Sequence, residues 1–298
     1  MQFIHSNLLK DHTWATEKKI IDLPVNPLSH LVITLEGYNA TNESTYAEIM
    51  GFLNKITVVH RGNSIIDLES EDLAFLMTAL GFGPPVLTQN IATDNYNREL
   101  TLIVPFGRSL FNPDECFHAT KKGELQLHLD CTVPATSFDN GIINIEACEL
   151  LGATPSRYMK STLLSVAAPG ATGNNDVSLP IGNDIAKILF FTTTLPGESS
   201  HTWGIQDLKI LVDNSEYGYV STKGKCQLGL LGWAGFGKNH DIAAYGQVQP
   251  TNYFMLDYDP LGNDQFLLNT EGKSSVKVRM NMGVDEAAKV IPVELVKI

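Results

Sequence analysis

The chain has 298 residues, of which 43% are hydrophobic and 18% are charged, and its formal net charge is −12. A chain of this length and composition is expected to fold as about two globular domains. No hydrophobic run reaches the roughly 18 residues that a membrane-spanning helix needs, and the N-terminus lacks the pattern of a signal peptide. Neither half of the sequence is basic, which argues against direct binding to nucleic acid.

Residues 1–29 are predicted to form an irregular N-terminal arm, since Pro24 and Pro27 interrupt any regular pattern. The arm also contains apolar residues beside Lys10 that would suit contact with a neighbouring subunit or a lipid surface: Phe3, Ile4, Leu8 and Leu9. A terminal strand or a disordered tail is the alternative interpretation.

Strands and two short helices are predicted between residues 30 and 81. Thr45 and Glu48 have the spacing of a capping box, which predicts a helix from about Thr45 to Asn54. Ser70 precedes acidic residues and an apolar helical face, which predicts a second helix capped by Ser70 and ended by Gly81. The predicted strands around the helices are His30–Glu36, Lys55–Val59 and Ser64–Leu68.

Three long segments are predicted to be surface loops because they are polar or rich in glycine: Phe82–Arg98, Pro169–Asp184 and Gly229–Gln249. Long loops on a rigid β-sandwich usually carry contacts or function. We therefore expect these segments to make subunit contacts or to face outward.

The last part of the chain, from Tyr253, repeats a pattern found about 150 residues upstream. Each copy begins with an apolar run that ends in Pro-x-Gly, at Pro105–Gly107 and at Pro260–Gly262. Each then reaches a threonine followed by a charged turn, at Thr120 and Thr270. The order of these features is the same in both copies.

After the threonine, both copies alternate strictly between apolar and polar residues, which is typical of a strand with one buried face. The apolar positions are Leu125, Leu127 and Leu129 in one copy and Val276, Val278, Met280 and Met282 in the other. A further strand closes each copy, at Ile142–Cys148 and Val290–Val296. The ordered repeat predicts a duplicated all-β domain, with an arm at 1–29, a first domain at 30–152 and a second at 153–298.

The run from Glu48 to Gly83 resembles the N-terminal domain of the double jelly-roll major capsid proteins of tailless, internal-membrane-containing icosahedral bacteriophages, in the adenovirus-like capsid lineage. The matching features are the strand Lys55–Val59, the turn at Gly62, the strand end Asp67–Leu68 and the helix start Glu71–Leu73. The segment Asn252–Thr270 is similar to the second jelly roll of those coats. These motifs are structural and carry no catalytic signature.

The resemblance implies an all-β fold of two tandem eight-stranded jelly rolls, with short helices in the first half. It also implies a major capsid protein that forms a homotrimer, a pseudo-hexameric capsomer, and builds an icosahedral virion shell over an internal membrane. The implied partners are other copies of the chain, neighbouring capsomers, minor capsid or penton proteins and, for the N-terminal arm, the membrane. Such a protein would be made in the host cytoplasm and reside in the virion without contacting the genome, which suits the acidic charge.

Two chemical motifs are weak. Gly232–Lys238 has the spacing of a phosphate-binding loop, but Asn239 replaces the hydroxyl residue that would bind magnesium. Asp257, Asp259 and Asp264 suggest a weak cation site but lack the order of an EF-hand loop. We interpret the first segment as a glycine-rich loop and the second as a solvated loop.

No residue is assigned to catalysis, to a cofactor or to a metal. The eight histidines never have a ligand spacing, and the four cysteines, Cys116, Cys131, Cys148 and Cys226, are interpreted as buried free thiols. Two alternative functions stay open at this point. Trp14, Trp203 and Trp233 could form the stacking platform of a carbohydrate- or receptor-binding sandwich, and paired acids could serve a tandem jelly-roll hydrolase.

Overall fold

The structure is a computed structural model that describes residues 1–41, 45–83, 94–134, 136–194, 204–222 and 253–298. Within these ranges the chain divides into two compact units, one of residues 1–160 with 297–298 and the other of residues 161–222 with 253–296. The division falls within strand β9 (Arg157–Thr162), whereas the sequence placed the boundary after Gly152. The predicted domain limits stay a prediction.

The first unit is built from eight strands in two sets of four, in the orders β1-β8-β3-β6 and β5-β4-β7-β2. When the strands are numbered in chain order, the two sets have the orders 1-8-3-6 and, read from the other edge, 2-7-4-5. This is the strand order of a jelly roll. The strands are β1 (Gln2–Thr13), β2 (Glu17–Asp22), β3 (Leu28–Asn39), β4 (Leu53–His60), β5 (Asn63–Leu68), β6 (Asn97–Pro105), β7 (Leu125–Cys131) and β8 (Phe138–Leu151).

The second unit repeats this topology, with the orders β10-β18-β12-β15 and β11-β17-β13-β14. The two-residue β16 (Leu268–Asn269) is an addition that pairs with β12. The other strands are β10 (Leu164–Val166), β11 (Gly173–Ser178), β12 (Asp184–Thr192), β13 (Ile205–Val212), β14 (Ser215–Thr222), β15 (Tyr253–Asp257), β17 (Val276–Met282) and β18 (Ala288–Lys297). We call β1–β8 the first roll and β10–β18 the second roll.

The repeat seen in the sequence consists of the sixth, seventh and eighth strands of each roll. The alternating runs are β7 and β17, in which every second residue is buried. In the second roll, the buried side chains of β17, such as Val278, belong to a core that also includes Ile188 and Phe190. Each such side chain contributes about 1.5–3 kcal/mol when it leaves water. The prediction of two tandem jelly rolls is confirmed.

Two short helices lie in the first roll, as predicted. In α1 (Tyr46–Met50), the amide of Glu48 donates to Thr45 Oγ1 at 3.3 Å and the Glu48 carboxylate accepts from the amide of Thr45. This helix is shorter than predicted, because the chain enters β4 at Leu53. In α2 (Ser70–Ala79) the N-cap is Glu69 rather than Ser70, whose hydroxyl donates to the carbonyl of Met50 instead.

The prediction of an irregular arm over residues 1–29 is wrong. Strand β1 pairs with β8 from Gln2 opposite Leu151 to Thr13 opposite Ile142, with two register shifts between Asn7 and His12. Strand β2 pairs with β7, and Pro24 and Pro27 lie after it. The alternative of a terminal strand is the one the structure adopts. Strand β1 is hard to predict from the sequence because it is an edge strand whose side chains are mostly exposed, so its residues show no alternating buried face.

The prediction of a loop over Pro169–Asp184 is also wrong in part, since it contains β11. This strand is polar because it lies at the edge of its sheet, where Asp176 forms an exposed ion pair with Arg279 on β17. No helix in the described ranges is long and apolar enough to span a membrane.

Candidate assembly surface at the loop ends of the two rolls

Each roll has an end at which two loops meet. In the first roll these loops are residues 23–27, between β2 and β3, and residues 106–124, between β6 and β7. In the second roll they are residues 179–183, between β11 and β12, and residues 258–275, between β15 and β17. We call this region the loop end of a roll.

The first loop of each loop end is anchored in the same way. The amide of Leu23 donates to the carbonyl of Leu125 at 2.9 Å, and the amide of Leu179 donates to the carbonyl of Val276 at 2.8 Å. The acceptors are the first residues of β7 and β17, and both leucine side chains are buried. The two rolls therefore hold this loop by equivalent contacts.

The repeated threonine joins the two loops in both rolls. In the first roll the amide of Thr120 donates to the carbonyl of Val25 at 2.8 Å. In the second roll Thr270 Oγ1 accepts from the amide of Gly182 at 2.9 Å and donates to the carbonyl of Asn183 at 2.5 Å. The threonines that marked the repeat in the sequence thus link the two loops of each loop end.

A buried carboxylate holds the long loop of the first roll in place. Glu115 is 2% exposed, and it accepts from Arg108 Nη2 at 2.7 Å and from Arg157 Nε at 2.9 Å. Burial opposes ionisation of Glu115, but the hydrogen bonds and charges of Arg108, with the charge of Arg157, outweigh it and lower its pKa. A Cβ on Gly107 would lie 2.1 Å from the carbonyl oxygen of Glu115, so only glycine fits there.

Carboxylates also order the long loop of the second roll. Asp257 Oδ1 accepts from the amide of Asp259 at 2.8 Å, and Asp259 Oδ1 accepts from the amide of Asp264 at 3.0 Å. The other oxygen of Asp257 accepts from Lys187 Nζ. These side chains shape a turn, and the described ranges contain no group of three or more His, Cys, Asp or Glu side chains placed to hold a metal ion.

The described histidines lie in the first roll, at positions 5, 12, 30, 60, 118 and 128, whereas His201 and His240 fall outside the described residues. His30 is 3% exposed, and its burial, with the nearby His5, lowers its pKa to about 4. The rings of His60 and His118 have centroids 5.2 Å apart, and burial lowers the pKa of both. His30 packs against Phe111 of the long loop, at 5.1 Å between ring centroids.

Trp14 is a core residue rather than part of an exposed platform. It is 6% exposed, stacks on Phe52 at 4.4 Å between ring centroids, and donates from Nε1 to the carbonyl of Ile142 at 2.9 Å. The other two members of the predicted platform, Trp203 and Trp233, lie outside the described residues.

Three cysteines are buried free thiols, as predicted: Cys116, Cys131 and Cys148. Burial raises the pKa of Cys116 to about 11 and that of Cys131 to about 12. Cys226, the Gly232–Lys238 motif and the predicted loop Gly229–Gln249 lie outside the described residues. So does most of the predicted loop Phe82–Arg98, whose last residues, Asn97 and Arg98, belong to β6.

The clamp of Arg108, Glu115 and Arg157 is the feature of the loop end that sequence reasoning missed. Arg157 is 42 residues from Glu115, so no local spacing links them. The signal available was Gly107, two residues after Pro105, because a glycine at such a position often marks a close approach of two backbone segments.

The comparisons with known proteins agree with the described topology. No protein-family model matches the sequence, and no curated protein matches it. Among solved structures, the STIV MCP, from Sulfolobus Turreted Icosahedral Virus, is 12% identical with a TM-score of 0.71 over 100% of this chain and 97% of that chain. The major capsid protein from bacteriophage PM2 is 12% identical with a TM-score of 0.64 over 100% of this chain and 98% of that chain.

A third similar structure is VP54 of PBCV-1, which is 9% identical with a TM-score of 0.62 over 99% of this chain and 94% of that chain. At such identities the likeness concerns the fold, and it extends over nearly the whole length of each chain. The protein is therefore a double jelly roll, the fold that it shares with the STIV MCP and with the major capsid protein from bacteriophage PM2.

Proposed function

We propose that this chain is a major capsid protein whose homotrimer is a pseudo-hexameric capsomer of an icosahedral virion shell. The observation that carries the proposal is the fold match over whole chains, which covers 100% of this chain and 97% of the STIV MCP. Two jelly rolls with the same strand order are joined in one chain.

The repeated topology gives this proposal a physical basis. Three chains with two similar rolls each supply six similar building blocks, and a closed trimer of such chains can occupy a six-fold position in a shell. A chain that served only as a binding module would need neither the second roll nor the close match between the strand orders of the two. The role proposed is structural rather than catalytic.

We propose further partners for the capsomer. They are minor capsid or penton proteins and an internal membrane, which the start of β1 would contact through Met1, 78% exposed. An acidic chain suits a shell that is separated from the genome, since it has no phosphates to neutralise. Synthesis in the host cytoplasm and residence in the virion complete the proposal.

Light scattering after size-exclusion chromatography tests the trimer directly. The full-length chain at micromolar concentration is expected to elute at about three times its mass of 32.7 kDa. Negative-stain images of the concentrated protein are then expected to contain six-sided particles, alone or in sheets. A chain that stays monomeric across the micromolar range would refute the proposal.

The alternative functions have no specific observation in their favour. Trp14, one of the three tryptophans of the carbohydrate-binding interpretation, is buried in the first roll. Glu115 accepts from two arginines, Asp257 accepts from Lys187, and Asp259 accepts from the amide of Asp264, so these three carboxylates serve to order the loops.

A further inference from the structure

The loop ends share two short sequence patterns that go beyond the repeat described above. The first loop reads Leu-Pro-Val at 23–25 in the first roll and Leu-Pro-Ile at 179–181 in the second. The long loop reads Pro-x-Gly-x-x-x-Phe in both, from Pro105 to Phe111 and from Pro260 to Phe266. Each loop end therefore carries one β-branched residue and one phenylalanine at matching positions.

All four of these apolar side chains face solvent in the single chain. Val25 is 42% exposed and Ile181 is 49% exposed. Phe111 is 44% exposed and Phe266 is 51% exposed. We call Val25 with Phe111, and Ile181 with Phe266, the apolar pair of each roll. Single exposed apolar residues are common on protein surfaces, but a β-branched residue and a phenylalanine at matching sequence positions of both loop ends indicate a shared purpose.

The long loop of the first roll holds Phe111 in a fixed position. The amide of Phe111 donates to Ser29 Oγ at 2.7 Å, and the Phe111 ring packs on the ring of Phe3 at 5.3 Å between centroids. Phe111 has a φ of 62°, a conformation that is unfavourable for a bulky residue and must be imposed by its surroundings. An aromatic side chain that is already ordered loses little freedom when it is buried by a partner, which favours binding.

We propose that the apolar pairs are the contacts between neighbouring trimers, each pair packing against the apolar pair of another copy of this chain. This inference rests on the proposed function and specifies one interface of it. A six-sided trimer has six neighbours, and its sides alternate between the first and the second roll. A residue that contacts the neighbouring trimer on all six sides must therefore occur at the same position in both rolls.

The chemistry of the pairs suits such a contact. Two trimers that meet across a local two-fold axis present the same kind of surface to each other, so the surface must be self-complementary. Apolar side chains satisfy this condition because they have no charge to match, and aromatic anchors commonly dominate the energy of interfaces. The apolar pairs thus serve assembly, whereas other surfaces hold the trimer together.

The test compares two double variants of the full-length chain in which two exposed apolar side chains are replaced. The first combines Phe111→Asn with Phe266→Asn, since asparagine tolerates the backbone conformation of Phe111. The control combines Ile20→Asn with Tyr217→Asn, which are 61% and 50% exposed and lie on β2 and β14, outside the loop ends. Circular dichroism checks folding, light scattering after chromatography measures the trimer, and turbidity with negative-stain imaging measures assembly of trimers.

The first variant is expected to remain a folded trimer and to need a concentration about tenfold higher or more for assembly. The control is expected to assemble like wild type, and Phe111→Leu with Phe266→Leu is expected to retain assembly. A first variant that assembles like wild type refutes the inference and leaves the proposed capsomer intact. A variant that is folded but monomeric also refutes it, because the contact would then lie within the trimer. A wild-type chain that forms no trimer refutes the proposed function and this inference together.

Discussion

Replacing Glu115 by glutamine tests whether the buried clamp of the first roll holds its long loop. The substitution keeps the size of the side chain but removes its charge, and it leaves Arg108 and Arg157 close together with 12% and 25% of their side chains exposed. Loss of one partner from a buried ion pair costs about 3–5 kcal/mol. Because both arginines retain some water and glutamine still accepts a hydrogen bond, we expect the free energy of unfolding to fall by about 2–4 kcal/mol.

Urea denaturation followed by circular dichroism at a fixed protein concentration measures this loss, since assembly would otherwise shift the apparent stability. The matched control is Lys55→Gln, which removes a charge from the ion pair with Asp67, where the lysine side chain is 48% exposed. We expect the control to lose at most about 1 kcal/mol.

The pH dependence of Glu115→Gln provides a second check on the same clamp. The folded pKa of Glu115 lies below its usual value, so the carboxylate contributes stability that is present above about pH 4.5 and lost as the pH falls through the lower folded pKa. The difference in the free energy of unfolding between wild type and Glu115→Gln should therefore become smaller as the pH is lowered. A difference of less than 1 kcal/mol at pH 7, or one that grows in acid, would show that the clamp does not hold the loop as argued.

Three further predictions concern buried groups of the first roll. His30 has a pKa of about 4 in the folded protein, against its ordinary value of 6.5, so the unfolded chain binds more protons than the folded one between these pH values. The free energy of unfolding should therefore fall as the pH drops from 6.5 towards 4. A wild-type free energy of unfolding that stays constant over this range would contradict the prediction. Cys116 and Cys131 should resist iodoacetamide at pH 8 in the native protein and react only in denaturant, as intact-mass measurements would reveal; rapid native labelling of either would mean that it is not buried. Gly141→Ala should lower the free energy of unfolding by about 1–3 kcal/mol or more, because the new Cβ would lie 2.4 Å from the Trp14 ring, and a variant with wild-type stability and tryptophan fluorescence would contradict that packing.

The sequence predicts the parts of this fold in which burial alternates along a strand. Strands β7 and β17 bury every second residue, so the period-2 alternation of apolar and polar residues was enough to predict that Leu127 and Val278 are buried. Helix α1 was predictable because Thr45 and Glu48 form a local capping box. These features depend on residues that are near one another in sequence.

The edge strands and the clamp could not be predicted in this way. Strand β1 has apolar residues such as Phe3 and Ile4 that remain exposed, so no buried face marks it as a strand. Strand β11 lies at a sheet edge, where its residues alternate between half-buried and exposed and none is fully buried, so polar side chains are accommodated along its length. The partners of Glu115 come together only after the chain has folded, and Val25 and Phe111 were visible as a repeated pair only once their exposure was known.

The irregular register of β1 has a consequence for the chain before it finds its partners. A straight edge strand of twelve residues would offer a row of free backbone donors and acceptors to any other extended polypeptide, and so invite runaway aggregation. Here the register shifts between Asn7 and His12, Asp11 takes a φ of 46°, and Lys10 adds a charge at the same place. These interruptions make the edge a poor template for strand pairing, so newly made chains at high concentration would be protected from adding strand to strand.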